Sequence, residues 1–500
     1  MDQKTYPKPD AKAGLEHFDV VIVGAGIAGV GSAYHMQTRA PGRSFVLFET
    51  KATFGGTWDT HRYPGVRSDS DLHTFGYEFK PWRGAPIASG PAILDYMGEV
   101  IAENDIARHI RYRTTVKSAS WSSAEGLWTL EVENLETGET YGVTTGFLWM
   151  CQGYYGHEKG HMPDWPGLAD FKGPVVHPQH WPADLDYKGK RVVVIGSGAT
   201  AATLIPALAE DAAHVVMLQR SPTYLAYGRN RNDLAETLRE LEIPEEWTHH
   251  IVRKQILKTG AEMRKRNAGR PDAVKEEILG LVRQILDEET VAKHFTPSYP
   301  VWRQRLAFIP NGDLFHAIKS GKASVVTDHI DHFEADGIVT RSGEKVEADI
   351  VITATGFDLA VLGNIAFEVD GEPLNFADTV TYRGMMFTGL PNLVWVFGYF
   401  RASWTLRADL VGEFVPRLLN HMSAKQARKV TVALRPEDEG MKLGPWVDPE
   451  DFNPGYLTRS MHLMPKSGDK PEWRHTQSYW DEKDAFPAID LDGAEFVYER

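Results

Sequence analysis

The 500-residue chain contains a single cysteine, Cys151. One thiol cannot close an intramolecular disulfide or build a cysteine metal cluster, and no metal site is expected. Cysteine scarcity fits a reducing compartment. Within "FLWMCQG", Cys151 reads as an inert core thiol. No stretch has the apolar length of a membrane span. The opening "MDQKTYPKPDAKAGLEH" lacks the apolar region of a secretory signal, so a cytoplasmic location is expected. Positive charge is also short. Lys and Arg number 54 against 68 Asp and Glu, for a net charge of −14. That balance argues against a nucleic-acid surface and reads as ordinary solubility. Hydrophobic residues make up 42% and charged residues 24%, as in a soluble globular protein. The length exceeds what one core serves and predicts two or three domains.

Two glycine-rich turns stand out. "FDVVIV", residues 18–23, reads as a buried strand. "GAGIAG" follows, with Gly24, Gly26 and Gly29 in G-x-G-x-x-G spacing, and then a helical stretch. "SFVLFE" reads as a second strand ending at Glu49. Gly24 permits the tight turn, Gly26 lets backbone approach a pyrophosphate, and Gly29 lets helix pack on strand. The helix N-terminus presents partial positive charge to the phosphates. Glu49 suits ribose hydroxyls. The pattern recurs in "KRVVVIGSGATAATLIPALA", with Gly196, Gly198 and Ala201. Its second strand, "HVVMLQRSP", ends in Gln219 and Arg220 rather than an acid. Arg220 and Ser221 suit a 2′-phosphate, which a carboxylate would repel. FAD at the first turn and NADPH at the second is the economical assignment, with electrons passing from nicotinamide to flavin.

The expected fold is α/β, with two Rossmann-like dinucleotide-binding domains and a helical insertion. The FAD domain is expected over residues 1–155 and 359–500, and the NADP domain over 156–228 and 299–358. The insertion is expected over 229–298. Residues 110–150 read as β-rich. In the insertion, Ile278, Leu281, Val282, Ile285 and Leu286 recur at helical spacing. It reads equally as part of a substrate cover or as a solvated scaffold. "GEKVEADIVITATGFD", residues 343–358, reads as a hairpin and a buried strand ending at Gly356, returning the chain to the FAD domain. A helix from about Trp404 is expected to aim its N-terminus at the flavin pyrimidine. Phe308, Phe357 and Trp404 are candidate pocket residues.

"GGTWDTHRYPGVRSD", residues 55–69, fits [AG]-G-x-W-x-x-x-x-[FY]-P-[GM]-x-x-x-D at Gly55, Gly56, Trp58, Tyr63, Pro64, Gly65 and Asp69. "FKGPVVHPQHWP" fits F-x-G-x-x-x-H-x-x-x-W-P at Phe171, Gly173, His177, Trp181 and Pro182. On these two fingerprints the chain resembles the type I Baeyer–Villiger monooxygenases over nearly its whole length. "RYPGVRSDSD", "HPQHWP", "LQRSPTY", "PNGDLF" and "ASWTL" look closest to the ethionamide-activating mycobacterial branch. Flavin disulfide reductases are excluded, because they carry cysteines where Trp58 and Asp59 stand.

The resemblance implies an NADPH- and O2-dependent flavoprotein that converts ketones to esters or lactones through a C4a-peroxyflavin and also oxidises sulfides. A fixed cation close by would stabilise the anionic oxygen. One unit charge at about 4 Å in a partly buried site is worth about 4 kcal/mol, roughly a thousandfold in rate. Residue chemistry alone does not separate Arg305 from Arg303, Arg62 or Arg67; the resemblance selects Arg305, held by Asp69, as the catalytic pair. It implies FAD contacts at Gly24, Gly26, Ala28, Gly29, Glu49, Gly56, Thr57, Trp58, Asp59, Asp69 and Val116. It implies NADP contacts at Arg67, Ser68, Asp69, Gly196, Ser197, Gly198, Ala199, Thr200, Ala201, Arg220, Ser221, Gln304 and Arg305. Gln304 stands where many relatives have lysine, leaving more of the NADP preference to Arg220. His177 is expected to act structurally between the domains. Two other readings stay open: an N- or S-oxygenating flavin monooxygenase without Baeyer–Villiger activity, and a non-catalytic nucleotide-binding flavoprotein. The oligomeric state is open.

Overall fold

The computed structural model describes residues 14–500. The stretch 1–13, on which most of the secretory-signal reading rests, lies outside the described residues. Two sheets organise the chain. The first has nine strands. Its parallel part places Glu16–Val23 between Phe45–Phe48 and Thr140–Met150, with Leu393–Trp395 beyond the last. Its antiparallel part is the meander Thr114–Ser122, Leu127–Asn134 and Thr140–Met150. The uninterrupted apolar runs follow from burial on both faces. Val20 and Ile22 enter one core with Phe147 and Trp149, whereas Val21 and Val23 enter the other with Leu148 and Met150.

The second sheet is parallel, in the order Ala323–Thr327, His214–Gln219, Arg191–Ile195, Ile350–Thr353 and Val175–Val176. It too is buried on both faces: Val192 and Val194 point one way, Val193 and Ile195 the other. The strand expected to end at Gly356 ends at Thr353 and belongs to this sheet. The crossing is made instead by Phe357–Leu359, which pairs antiparallel with Tyr155–Gly160 on the outward path. Two passages of chain thus form one small ladder. His177 seals it. Its Nδ1 accepts from the Gln179 N–H (3.2 Å) and its Nε2–H donates to Gly356 O (3.1 Å). A Cβ on Gly160 would lie 1.9 Å from the ring. With both nitrogens engaged the ring is neutral, and burial lowers its pKa.

The insertion is helical over Asp233–Glu240, Glu245–Gly269, Pro271–Val282 and Glu288–His294. Val282, Ile285 and Leu286 join the core of the second sheet together with Leu279. The 25-residue helix Glu245–Gly269 docks on the first domain through Arg253. That guanidinium is buried and donates to the carbonyls of His73, Thr74 and Gly76, and it pairs with Asp409 at 3.4 Å.

Candidate active site

The first turn is built as its glycines require. Gly24 sits at φ +100, and a Cβ there would lie 2.8 Å from Cys151 O. A Cβ on Gly29 would lie 1.9 Å from Gly24 O, so the helix Ile27–Arg39 can close on the strand only with glycine at that position. Glu49 is buried; its carboxylate accepts from the Ala25 N–H (2.7 Å) and the Lys51 N–H (2.9 Å). The acid is therefore held at the strand end, with further lone pairs available to a ribose. Ala28 lies in the first turn of the same helix. Cys151 is buried beside this turn and burial pushes its thiol up to about 12, so it is inert as expected.

The second turn repeats the design. Gly196, at φ +136, donates its N–H to Leu218 O, and a Cβ there would lie 2.3 Å from Ala354 O. Open space lies beside Gly198, which precedes the helix Ala199–Leu208 carrying Thr200 and Ala201. Ser197 Oγ meets Thr223 Oγ1 at 2.7 Å. Arg220 and Ser221 stand exposed just past the strand His214–Gln219.

The segment 55–69 leaves the first turn and seats itself on the second domain. Gly56 lies against Gly26, and Thr57–Thr60 forms one helical turn. Trp58 packs edge-on to Phe75, and Asp59 pairs with Arg62. Tyr63 is buried in the second sheet's core with its hydroxyl against Thr200. Gly65, at φ +77, packs so closely that a Cβ would lie 2.8 Å from Ala207 Cβ and 2.9 Å from Thr203 O. Asp69 follows four residues beyond this seating on the second domain.

There it meets Arg305. The guanidinium donates twice, Nε to Oδ2 (2.9 Å) and Nη2 to Oδ1 (3.0 Å). Such a two-point pair fixes the plane of the cation as well as its position. Burial pushes the Asp69 carboxyl up, but the charge and hydrogen bonds of Arg305 outweigh it and leave the carboxyl below its ordinary value. The charge of Asp69 in turn raises Arg305. The Arg305 side chain is 39% exposed, so solvent reaches the pair. The turn before it holds Trp302 at φ +71, a conformation a bulky residue adopts only when its surroundings impose it. The other three arginines are engaged elsewhere: Arg303 with Glu450, Arg62 with Asp59 and Arg67 with Asp313.

Several expected contacts have side chains engaged away from this pair. Arg67 grips Asp313 with two hydrogen bonds, Ser68 is buried with its hydroxyl donated to Ser70 O, and the Val116 side chain is in a core of the first sheet. Gln304 adjoins Arg305 and is partly exposed. Phe308 lies on the short strand Ala307–Pro310 against Gly228. Phe357 and Trp404 instead flank Tyr155 and Tyr154 (centroids 4.7 and 5.0 Å). An open cleft of about 740 Å³ is lined by three of the expected cofactor contacts, Trp58, Asp59 and Arg67, with His61, Leu94 and Asn311, but by neither Asp69 nor Arg305.

Sequence reasoning missed Gln152. Both polar atoms of its amide are buried without a hydrogen-bond partner among the described residues, directly behind the Gly24 turn. A buried amide left orphaned costs free energy unless a ligand completes it. This orphan and the two glycine cradles fit a dinucleotide at each turn. The only sequence signal was its place just after the buried strand, where ligands of such sheets bind. No helix among the described residues is long and apolar enough to cross a membrane.

Comparison with known proteins agrees with this geometry. Residues 88–233 match the flavin-binding monooxygenase-like family, and residues 22–83 match an NAD(P)-binding Rossmann-like domain. The chain is 46% identical to the FAD-containing monooxygenase EthA of Mycobacterium tuberculosis over 93% of its own length and 94% of that protein. It is 38% identical to the probable FAD-binding monooxygenase AlmA of Acinetobacter baylyi, over 97% of each. In fold it resembles a steroid monooxygenase bound to NADP (TM-score 0.76, 22% identity, 96% of this chain and 99% of the other). It also resembles an open cyclohexanone monooxygenase (TM-score 0.76, 21% identity, 97% and 100%). The chain belongs to the FAD-containing monooxygenases, flavoenzymes built on two dinucleotide-binding domains.

Proposed function

We propose that the protein is a Baeyer–Villiger monooxygenase, using NADPH and O2 to convert a ketone to an ester or lactone, and that it also oxidises sulfides. One oxygen atom enters the carbon–carbon bond beside the carbonyl; the other leaves as water, with NADPH and a proton as the reductant. Bound FAD would supply the redox chemistry, taking hydride from NADPH and reducing O2. Glu49 and the turn at Gly24–Gly29 would hold the flavin nucleotide, with Gln152 completing an amide contact. Gly196–Ala201, Arg220 and Ser221 would hold NADP, and Gln304 beside Arg305 contributes no charge to its phosphate.

The observation that supports this reading is the Arg305–Asp69 pair, one permanent cation oriented at two points by the end of the 55–69 segment. Arginine keeps its charge at any working pH. Bound nucleotide that excluded solvent from this half-exposed side chain would let the cation act at short range on negative charge gathering at oxygen. Incubation of the purified holoenzyme with NADPH, air, 4-phenyl-2-butanone and thioanisole tests the proposal. Ester from the ketone, with or without sulfoxide, is expected. Sulfoxide with no ester from any ketone in a panel would instead make it an S-oxygenating enzyme.

A further inference from the structure

Three tyrosines stand beside Arg305, and nothing derived above uses them. Tyr154 and Tyr155 lie where the chain leaves the first sheet, with the Tyr154 hydroxyl donating to Tyr155 Oη at 2.8 Å. Tyr456 comes from the distant helix Gly455–Ser460. Its ring meets Tyr155 edge-on (5.6 Å) and lies 6.3 Å from that of Tyr154. Its Oη is buried against the hydroxyls of Tyr154 and Tyr155 yet completes no hydrogen bond of normal geometry among the described residues. The charge of Arg305 reaches all three hydroxyls.

This placement is built rather than incidental. The segment carrying Tyr456 is tied down around the Arg305 turn at four points. Glu450 pairs with Arg303 at 2.8 Å, and the Asn453 N–H donates to Arg303 O at 3.0 Å. Asp451 takes two hydrogen bonds from Arg401, and Arg459 donates to Phe357 O. Behind the hydroxyls, Trp404 stacks on Tyr154 and Phe357 packs on Tyr155. Aromatic rings around a cluster of hydroxyl donors offer an apolar molecule both packing and a partner for one oxygen acceptor. Burial raises all three hydroxyls, so they stay protonated and able to donate throughout the working pH range. Buried against two other hydroxyls without a bond of good geometry, the Tyr456 hydroxyl is under-satisfied, and an incoming acceptor completes it.

We infer that Tyr456, backed by the Tyr154–Tyr155 pair, is the hydrogen-bond donor to the carbonyl oxygen of the ketone, placing that oxygen within the field of Arg305. The bond polarises the carbonyl before attack and strengthens as negative charge gathers on its oxygen. A thioether offers no such oxygen and gains nothing from the hydroxyl. This assignment rests on the ketone-oxidising reading above.

The Tyr456→Phe holoenzyme tests it, because the ring stays and only the hydroxyl goes. For 4-phenyl-2-butanone, kcat/KM is expected to fall by about 10- to 100-fold. Thioanisole turnover and anaerobic flavin reduction by NADPH are expected to stay within about twofold, the spread left by a change of surface size. Infrared difference spectra of the carbonyl-13C ketone bound to the oxidised holoenzyme give a readout independent of turnover. The carbonyl stretch is expected at lower frequency in the wild type than in the variant. Equal losses on ketone and thioether, an unchanged ketone kcat/KM, or an unmoved carbonyl band would overturn the assignment. If the wild type forms no ester while its carbonyl band still moves with the variant, the proposed reaction fails and the hydrogen bond stands.

Discussion

Arg305 shows both what a residue-scale reading reaches and where it stops. Four arginines were equivalent by residue chemistry, and only geometry separates them. Arg303, Arg62 and Arg67 each pair with a carboxylate elsewhere, whereas Arg305 is held at two points by Asp69 at the end of the 55–69 segment. Arg305→Ala is expected to keep NADPH-driven flavin reduction while ester formation falls by roughly a thousandfold, the worth of about 4 kcal/mol. Stopped-flow reduction together with gas chromatography of the product checks both halves; normal ketone turnover would remove Arg305 from the chemistry. The tyrosines were not legible at all, since residues 154–155 and 456 carry no shared motif and meet only through folding. His61 gives a residue-scale pH effect. It is buried, and burial first, then neighbouring His157, Lys51, His177 and His180, lowers its pKa to about 3. Below about pH 6.5 the unfolded chain takes up a proton there that the folded chain refuses until about pH 3. Stability is therefore full above pH 6.5 and falls as pH drops through that window. By pH 5 the loss is about 2 kcal/mol. His61→Asn should flatten the decline of urea midpoints between pH 7 and pH 5; an unchanged slope would contradict this.

Elements were legible where a period was strong. Buried strands such as Arg191–Ile195 and the helix beginning at Trp404 follow from uninterrupted β-branched runs and from 3.6-residue spacing. What those elements touch was not. The insertion could be read as cover or scaffold, because its charged composition states only that much of its surface is wet. Arg253 decides how its longest helix is anchored: one buried guanidinium closes three carbonyls at the end of the short helix Leu72–Phe75 and faces Asp409. Its substitution by alanine would strand those carbonyls and leave the buried Asp409 carboxylate with only the Glu78 N–H and His35 for partners, at a cost of about 3 kcal/mol. Arg253→Lys keeps the charge without the planar fork and should recover less than half of that. Urea unfolding of both variants measures the difference. A loss below about 0.5 kcal/mol for the alanine variant, the size of an ordinary surface change, would show that the helix is held by other contacts.

At the scale of the whole molecule, the interleaving of the halves was only partly readable. Two glycine turns announce two nucleotide domains, but no local signal says that residues 350–353 complete the second sheet before the chain returns along Phe357–Leu359. Long-range parallel pairing is chosen by the whole sheet, not by the strand's own sequence. The same holds for Gly65, whose need for glycine comes from Thr203 and Ala207, well over a hundred residues away. Gly65→Ala is expected to leave each nucleotide turn intact, with flavin content unchanged, while lifting the 55–69 segment off the helix Ala199–Leu208. Ketone turnover should then fall by tenfold or more, the sensitivity expected when a catalytic group shifts by about 1 Å. Full turnover would show that this seating does not position Asp69.

The 55–69 segment is covalently rooted in one half of the molecule and lodged in the other. Any tilt of the second domain therefore tugs directly on the carboxylate that aims the guanidinium, without an intermediary. The pair acts as a gauge of alignment, square only when both halves are in step, and a misaligned enzyme is disarmed by the same loop that assembles it.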